Sequence, residues 1–162
     1  MAKTPEIGQV PPDFTLPGIE LTGSEISRSE YTLSQQRGQP IVLAFYPGDN
    51  TTVCTRQLCS YTSGLEGFTG FGARVWAISP QGLASHEQFA RKYKLAFPLL
   101  ADDGLVVSRQ YGIALGGVGL RRSVFVIDAE GVLRWKHVTL VGLTFPSAEV
   151  ISAQLAALAK AG

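Results

Sequence analysis

Residues 41–60 read IVLAFYPGDNTTVCTRQLCS. Ile41 to Tyr46 is continuously apolar, introduced by Gly38-Gln39-Pro40 and stopped by Pro47. A short unbroken run of this kind reads as a strand buried on both faces, since a strand with one wet face would alternate with polar residues. The turn-forming residues Pro47-Gly48-Asp49-Asn50 follow. Beyond them Cys54, Leu58, Tyr61 and Leu65 stand at i, i+4, i+7 and i+11. That spacing is one stripe of a helix running from Thr52 to about Gly64. A buried strand passing through a tight turn into an amphipathic helix is a unit of an α/β fold.

The same alternation continues outward. Ala73 to Ile78 and Ser123 to Ile127 are further buried-strand runs, and Val132 to Val138 follows the turn Asp128-Ala129-Glu130-Gly131, so the last two strands form a hairpin. Helical patterns cover Leu83 to Leu95, the short stretch Leu105 to Tyr111, and Pro146 to Lys160. The last opens with proline and ends in lysine, as helix termini prefer. The arm Pro11 to Pro17 is proline-rich, with Phe14 and Leu16 alternating against polar neighbours, and predicts an extended edge segment. The expected architecture is a mixed central β-sheet flanked by helices on both faces. Sites in such sheets form at the carboxyl ends of strands, which here means just past Tyr46.

With 162 residues the chain fits a single domain, 1–162, on a prior of roughly 150 residues per domain. Lys plus Arg is 14, Asp plus Glu is 13, and 45% of residues are hydrophobic. This balance argues against disorder, against a dominant nucleic-acid surface and against a polybasic membrane patch. No apolar run reaches the ~18 residues of a membrane span. Met1 to Val10 has no apolar core of a signal peptide. A cytoplasmic protein is expected, in a compartment where structural disulfides are rare. The two cysteines, Cys54 and Cys59, therefore each need a reason.

If Thr51 is the N-cap, its hydroxyl is expected to serve a first-turn backbone N–H, and Cys54 is the third helical residue. The N–H groups of that turn lack intrahelical partners, and with the helix dipole they favour an anion. Thiolate is the nucleophilic form of cysteine, so this is a reactive position. Cys59 lies about 140° further round at ~100° per residue. It shares its face with Thr55, Arg56, Thr62 and Ser63 and is expected to point outward. The plainer reading of Cys54 is a small buried hydrophobe, a frequent fate of free cysteine. The helix start, the threonine and the second cysteine together favour chemistry.

Other candidates have ordinary readings. A zinc site from Cys54, Cys59, His86 and His137 lacks the short ligand knuckles zinc sites use. His86 is expected as a polar helix residue and His137 as a strand residue near the surface. Gly116-Gly117-Val118-Gly119 fits no nucleotide-binding fingerprint and is expected to be a mobile connection. Asp102 and Asp103 precede Gly104 as a turn and helix start rather than a catalytic pair. Trp76 and Trp135 lie in strand patterns as core or sheet-face residues.

Pro47-x-x-x-Thr51-x-x-Cys54 resembles the active-site motif of the peroxiredoxins, and Cys59 resembles the resolving cysteine of the bacterioferritin-comigratory-protein or peroxiredoxin Q group. Gly8 to Pro17 is similar to that family's N-terminal strand, and Arg122 to Asp128 (RSVFVID) to its arginine-bearing late strand. The resemblance implies a thioredoxin-like fold and thiol-dependent reduction of hydroperoxides, with no metal or organic cofactor. It implies Cys54 as peroxidatic thiolate, Cys59 as resolving thiol and a disulfide between them. It further implies Thr51 as a hydrogen-bonding partner of thiolate or peroxide, Arg122 as the cation stabilising the thiolate, and Pro47 as a shield. Gln57 occupies the place where the family uses Glu or Gln. The implied partner is thioredoxin or a similar dithiol reductant. A monomer is expected, with a homodimer through the turn before the catalytic helix as the alternative. The chain departs from the family in having Val53 where Gly is frequent, and Ser60-Tyr61-Thr62-Ser63 where an Arg-Asp pair is frequent. Two rival readings are a thioredoxin-like disulfide reductase, which would normally carry C-x-x-C rather than C-x4-C, and a non-enzymatic redox sensor.

Overall fold

Seven strands form one mixed sheet in the order β2-β1-β5-β4-β3-β6-β7. The strands are β1 Thr15–Thr22, β2 Glu25–Thr32, β3 Ile41–Phe45, β4 Arg74–Ser79, β5 Leu99–Ala101, β6 Ser123–Ile127 and β7 Leu133–Val138. The helices are α1 Thr52–Ser63, α2 Glu66–Thr69, α3 Leu83–Tyr93, α4 Val106–Gln110 and α5 Ala148–Ala161. They belong to a computed structural model that describes residues 3–116, 119–139 and 144–161. Part of the glycine-rich connection, residues 117–118, lies outside the described residues.

Strand periodicity divides the core in two. Val42, Ala44 and Tyr46 face one way, with Val75, Ala77, Val124 and Val126, onto Leu58 and Tyr61 of α1, Phe68 of α2, Phe89 of α3 and Ile151 of α5. Ile41, Leu43 and Phe45 face the other way, with Trp76, Ile78 and Phe125, onto Phe14, Leu16, Val107 of α4 and Tyr111. All five residues of β3 are buried, as a strand covered on both faces must be. The sheet is flanked on both faces as expected, with most helical mass on the side of α1.

The N-terminal region differs from expectation. Residues 15–17 of the arm pair antiparallel with β2, and Gly18 and Ile19, just beyond it, pair antiparallel with β5, so β1 is an interior strand. Gly18 permits this position, because a Cβ there would stand 2.9 Å from the Tyr31 ring and 3.0 Å from the Leu99 carbonyl oxygen. Neither β2 nor β5 was expected. β2 is largely exposed and polar, and β5 has three residues, so neither offers a hydrophobic period. The short helical stretch begins as a 3-10 turn, Asp103–Leu105, before α4. α3 stops at Tyr93 because Lys94 takes a left-handed conformation at φ 52°.

Two pairings place the site. β3 runs parallel to β4, and antiparallel to β6 with Phe45 opposite Ser123. The carboxyl end of β3 therefore meets the amino end of β6, and Arg122 stands beside the turn that leads into α1.

Candidate active site

Cys54 is the third residue of α1 and is fully buried. Thr51 is the N-cap, as expected, but its side chain makes no capping bond. Its hydroxyl donates instead to the Gly48 carbonyl at 3.2 Å, bracing the turn. Arg122, 2% exposed, enters from the start of β6. Its backbone oxygen accepts from both the amide and the hydroxyl of Thr139, which anchors the residue. Nη2 of its guanidinium donates to Cys54 Sγ at 3.2 Å and Nη1 donates to Gln57 Oε1. The Cys54 sulfur thus lies at a helix start, within hydrogen-bond distance of a fixed cation.

The bonds continue along α1. Gln57 Nε2 donates to the Tyr61 hydroxyl at 3.3 Å, and that hydroxyl donates to the Pro146 carbonyl at 2.7 Å. Burial pushes the Tyr61 phenol well above its ordinary ionisation range, so it stays protonated as a donor. Cys59 is half-buried and packs against the core, rather than pointing outward as its polar neighbours suggested. Burial raises its thiol pKa above the ordinary value.

The turn before α1 is held from beneath by a buried polar cluster. Asp49 accepts from the Tyr46 hydroxyl at 2.6 Å and the Ser85 hydroxyl at 2.7 Å, and its Oδ2 lies 2.7 Å from His86 Nδ1. Its backbone N–H donates to Gln81 Oε1. His86 Nε2 lies 3.0 Å from the Leu100 carbonyl, which can only accept, so that nitrogen carries a hydrogen. Burial first, then the Asp49 charge, lifts the Tyr46 hydroxyl well above its ordinary range. His86 is a polar residue of helix α3, as read from the sequence, and it is fully buried. The signal was present: His86, Phe89, Ala90 and Tyr93 follow helical spacing on the inward face of α3. The roles of Asp49, Ser85 and Tyr61 had no sequence signal, because their partners are distant in the chain.

Arg122 brings Cys54 and Gln57 together, while Thr51 is exposed at the N-cap with its hydroxyl on Gly48 and Pro47 is half-buried at the turn. Cys59 shares the helix but not the pocket. Arg121 precedes Arg122 and is only half-buried; its amide donates to the Ile113 carbonyl. His137 is half-buried in β7, where its ring stacks on Trp135 at 6.2 Å. Asp102 accepts from the Val107 and Ser108 amides and the Ser108 hydroxyl, a structural role at the start of α4. Among the described residues no group of three or more His, Cys, Asp or Glu side chains is placed to hold a metal ion. No helix among them is long and apolar enough to cross a membrane.

Comparison with known proteins agrees with this geometry. The chain is 39% identical over 130 residues to "Peroxiredoxin Q, chloroplastic" of Triticum aestivum, covering 79% of this chain and 57% of that protein. It is 40% identical over 129 residues to the Sedum lineare protein of the same name, covering 78% and 66%. The chain thus spans less than two thirds of the length of these relatives. It is 34% identical over 146 residues to "Putative peroxiredoxin bcp" of Coxiella burnetii, covering 85% of this chain and 92% of that protein. Among solved structures, the reduced 2-Cys peroxiredoxin of Plasmodium vivax superposes with a TM-score of 0.87 at 21% identity, covering 95% of this chain and 82% of that one. Mycobacterium bovis AhpC superposes with a TM-score of 0.87 at 20% identity, covering 98% and 95%. At these identities the superpositions speak for the fold. The AhpC/TSA family model matches residues 7–136, a span that contains Pro47, Thr51, both cysteines and Arg122, and the chain belongs to that family.

Proposed function

We propose that this protein is a thiol-specific peroxidase that reduces hydrogen peroxide and organic hydroperoxides. The observation that carries the reading is the guanidinium of Arg122 fixed 3.2 Å from the buried Cys54 sulfur at the start of a helix. The Cys54 thiolate attacks the terminal oxygen of the hydroperoxide. The S–O bond forms as the O–O bond breaks, and the electron pair leaves on the distal oxygen, which takes up a proton to become water or an alcohol. Cys54 is left as sulfenic acid. Charge grows on the leaving oxygen, and Arg122 and the first-turn N–H groups supply positioned donors for it. With its own hydrogen given to Gly48, the Thr51 hydroxyl presents its oxygen to the peroxide O–H. Pro47 limits water access at the mouth.

In the second step the Cys59 thiolate attacks the Cys54 sulfenic sulfur, the S–S bond forms as the S–O bond breaks, and the leaving hydroxide takes up a proton to become water. A dithiol reductant, thioredoxin or a similar protein, returns both sulfurs to thiols by transfer of two electrons and two protons. The cycle uses no metal or organic cofactor. The protein acts in antioxidant defence and cell redox homeostasis, as a monomer in the cytoplasm. A homodimer through the Pro47–Thr51 turn is the alternative assembly, which sedimentation of the reduced protein distinguishes.

The test is peroxide-dependent oxidation of NADPH with thioredoxin and its reductase. Wild type is expected to turn over and Cys54→Ser to be inactive with its circular dichroism intact. Near-normal turnover by Cys54→Ser would refute the assignment. Insulin reduction without peroxide turnover would make the protein a disulfide reductase instead.

A further inference from the structure

We propose that the Tyr61 hydroxyl is a positioning group for Cys54: it holds the Gln57 amide, and through it Arg122, against the sulfur. This rests on the peroxidase reading above. Hydrogen-bond polarity orders the groups. The Pro146 carbonyl has only lone pairs, so the Tyr61 hydroxyl, 2.7 Å away, must donate to it. Having given its one hydrogen, the phenolic oxygen can only accept, and Gln57 Nε2 donates to it at 3.3 Å. The other end of the amide, Oε1, then faces Arg122 and accepts from Nη1. Arg122 has no acceptor, and its Nη2 donates to Cys54 Sγ. Each link fixes the direction of the next, and the series starts at a carbonyl and ends at the thiolate.

The carbonyl is available because of how α5 begins. The amides of Val150 and Ile151 are directed to the hydroxyl and carbonyl of Ser147, which leaves the Pro146 oxygen to the tyrosine. Gln57 and Tyr61 are fully buried. Without the phenolic oxygen, Gln57 Nε2 becomes a buried donor with its partner removed, and the amide gains by turning away from Arg122 to find another. The guanidinium then loses an acceptor that helps aim it at Cys54. The Tyr61 hydroxyl bonds to Gln57 and Pro146, so its hydrogen-bond influence on Cys54 passes through Gln57.

Tyr61→Phe removes one oxygen and keeps the ring, which packs edge-on against Phe68 and Phe145. The measurement is the second-order rate of Cys54 oxidation by hydrogen peroxide, followed by stopped-flow tryptophan fluorescence. Losing a direct donor costs about 10²–10³ in rate, and a group acting through another is expected to cost about 5–10-fold. The discriminating background is Gln57→Glu. A carboxylate accepts from Arg122 at either oxygen and has no N–H to satisfy, so adding Tyr61→Phe there should cost less than about twofold. An equal loss in both backgrounds, or no loss in either, overturns the proposal.

Should Gln57→Glu not fold, Phe145→Leu decides. It strips a ring contact from Tyr61 but leaves the hydroxyl, so it should lower the thermal midpoint while keeping the oxidation rate within about twofold. A rate loss matching that of Tyr61→Phe means general packing and overturns the proposal. Wild type inactive toward peroxide overturns both this inference and the reading it rests on, whereas active wild type with an unaffected Tyr61→Phe overturns this inference alone.

Discussion

Cys54 and Cys59 sit in one helix, five residues apart, and their surroundings differ in almost every respect. Cys54 is sealed from solvent and receives a guanidinium hydrogen bond at the helix start. The turn leading to it is fastened by Asp49 to Tyr46, Ser85 and His86. Cys59 is half-buried against apolar side chains, which raise its thiol pKa and leave it mostly protonated near neutrality. The difference teaches that the two sulfurs are suited to consecutive steps. On the proposed reaction, the first would act in the closed helix and the second once the helix opens and desolvation is relieved.

The largest effect expected is on the prepared side. Arg122→Met should slow Cys54 oxidation by about 10²–10³. Arg121→Met, at the half-buried neighbour, should change it little. Equal losses would remove Arg122 from its role and erase the contrast, since Cys54 would then owe nothing to its partner.

The second expectation concerns opening. Residues five apart in an ideal helix have Cα atoms about 8.7 Å apart and side chains about 140° apart. A disulfide needs Cα atoms closer than about 7 Å and facing Cβ vectors. The closed helix therefore excludes the 54–59 bond, and the first turns of α1 are the switching element. Thr51, Thr52, Val53 and Thr55 are weak helix formers, which lowers the cost of unwinding. Amide exchange across residues 52–62 should be slow in the reduced protein and faster by about tenfold or more once the disulfide has formed. Equal protection in both states, with the disulfide verified by mass, would show that the two sulfurs meet in the closed form.

The smallest effect is a pH dependence. The folded-state pKa of Cys59 is raised, so its contribution to the closed helix is fully present below the open-state value, about 8.5. It is lost as pH rises through the folded value. Opening of α1 should thus increase a few-fold from about pH 8.5 upward. Amide exchange corrected for its intrinsic pH dependence would show this in wild type and not in Cys59→Ser. The same slope in both proteins would place the sensitivity elsewhere.

Much of this was legible because it was local. The run Ile41 to Tyr46 gave β3, the turn gave the start of α1, and the stripe through Cys54, Leu58 and Tyr61 gave its inward face. The family pattern pointed to Arg122. What escaped depended on distant partners. Asp49 read as a turn residue because nothing local names His86, which lies 37 residues away. The Thr51 hydroxyl was assigned to the cap because sequence cannot show that Gly48 competes for it. β2 was missed because its exposed polar residues give no period, yet it pairs with the whole of β1.

The interior position of β1 has a consequence for how the chain is made. The hairpin of β1 and β2 leaves the ribosome before the other neighbour of β1, which is β5 at Leu99–Ala101. At about 5–20 residues per second, synthesis of the intervening chain takes roughly 4–15 s. Throughout that interval β1 exposes backbone groups and Ile19, which the finished fold buries completely. Its partner β2 carries Glu25, Arg28 and Glu30 on the strand that remains an edge in the native sheet. Charges on an edge discourage pairing with other chains. The polarity that hid β2 from its sequence thus guards the outer edge of the sheet against pairing with other chains, in the nascent hairpin and in the finished fold alike.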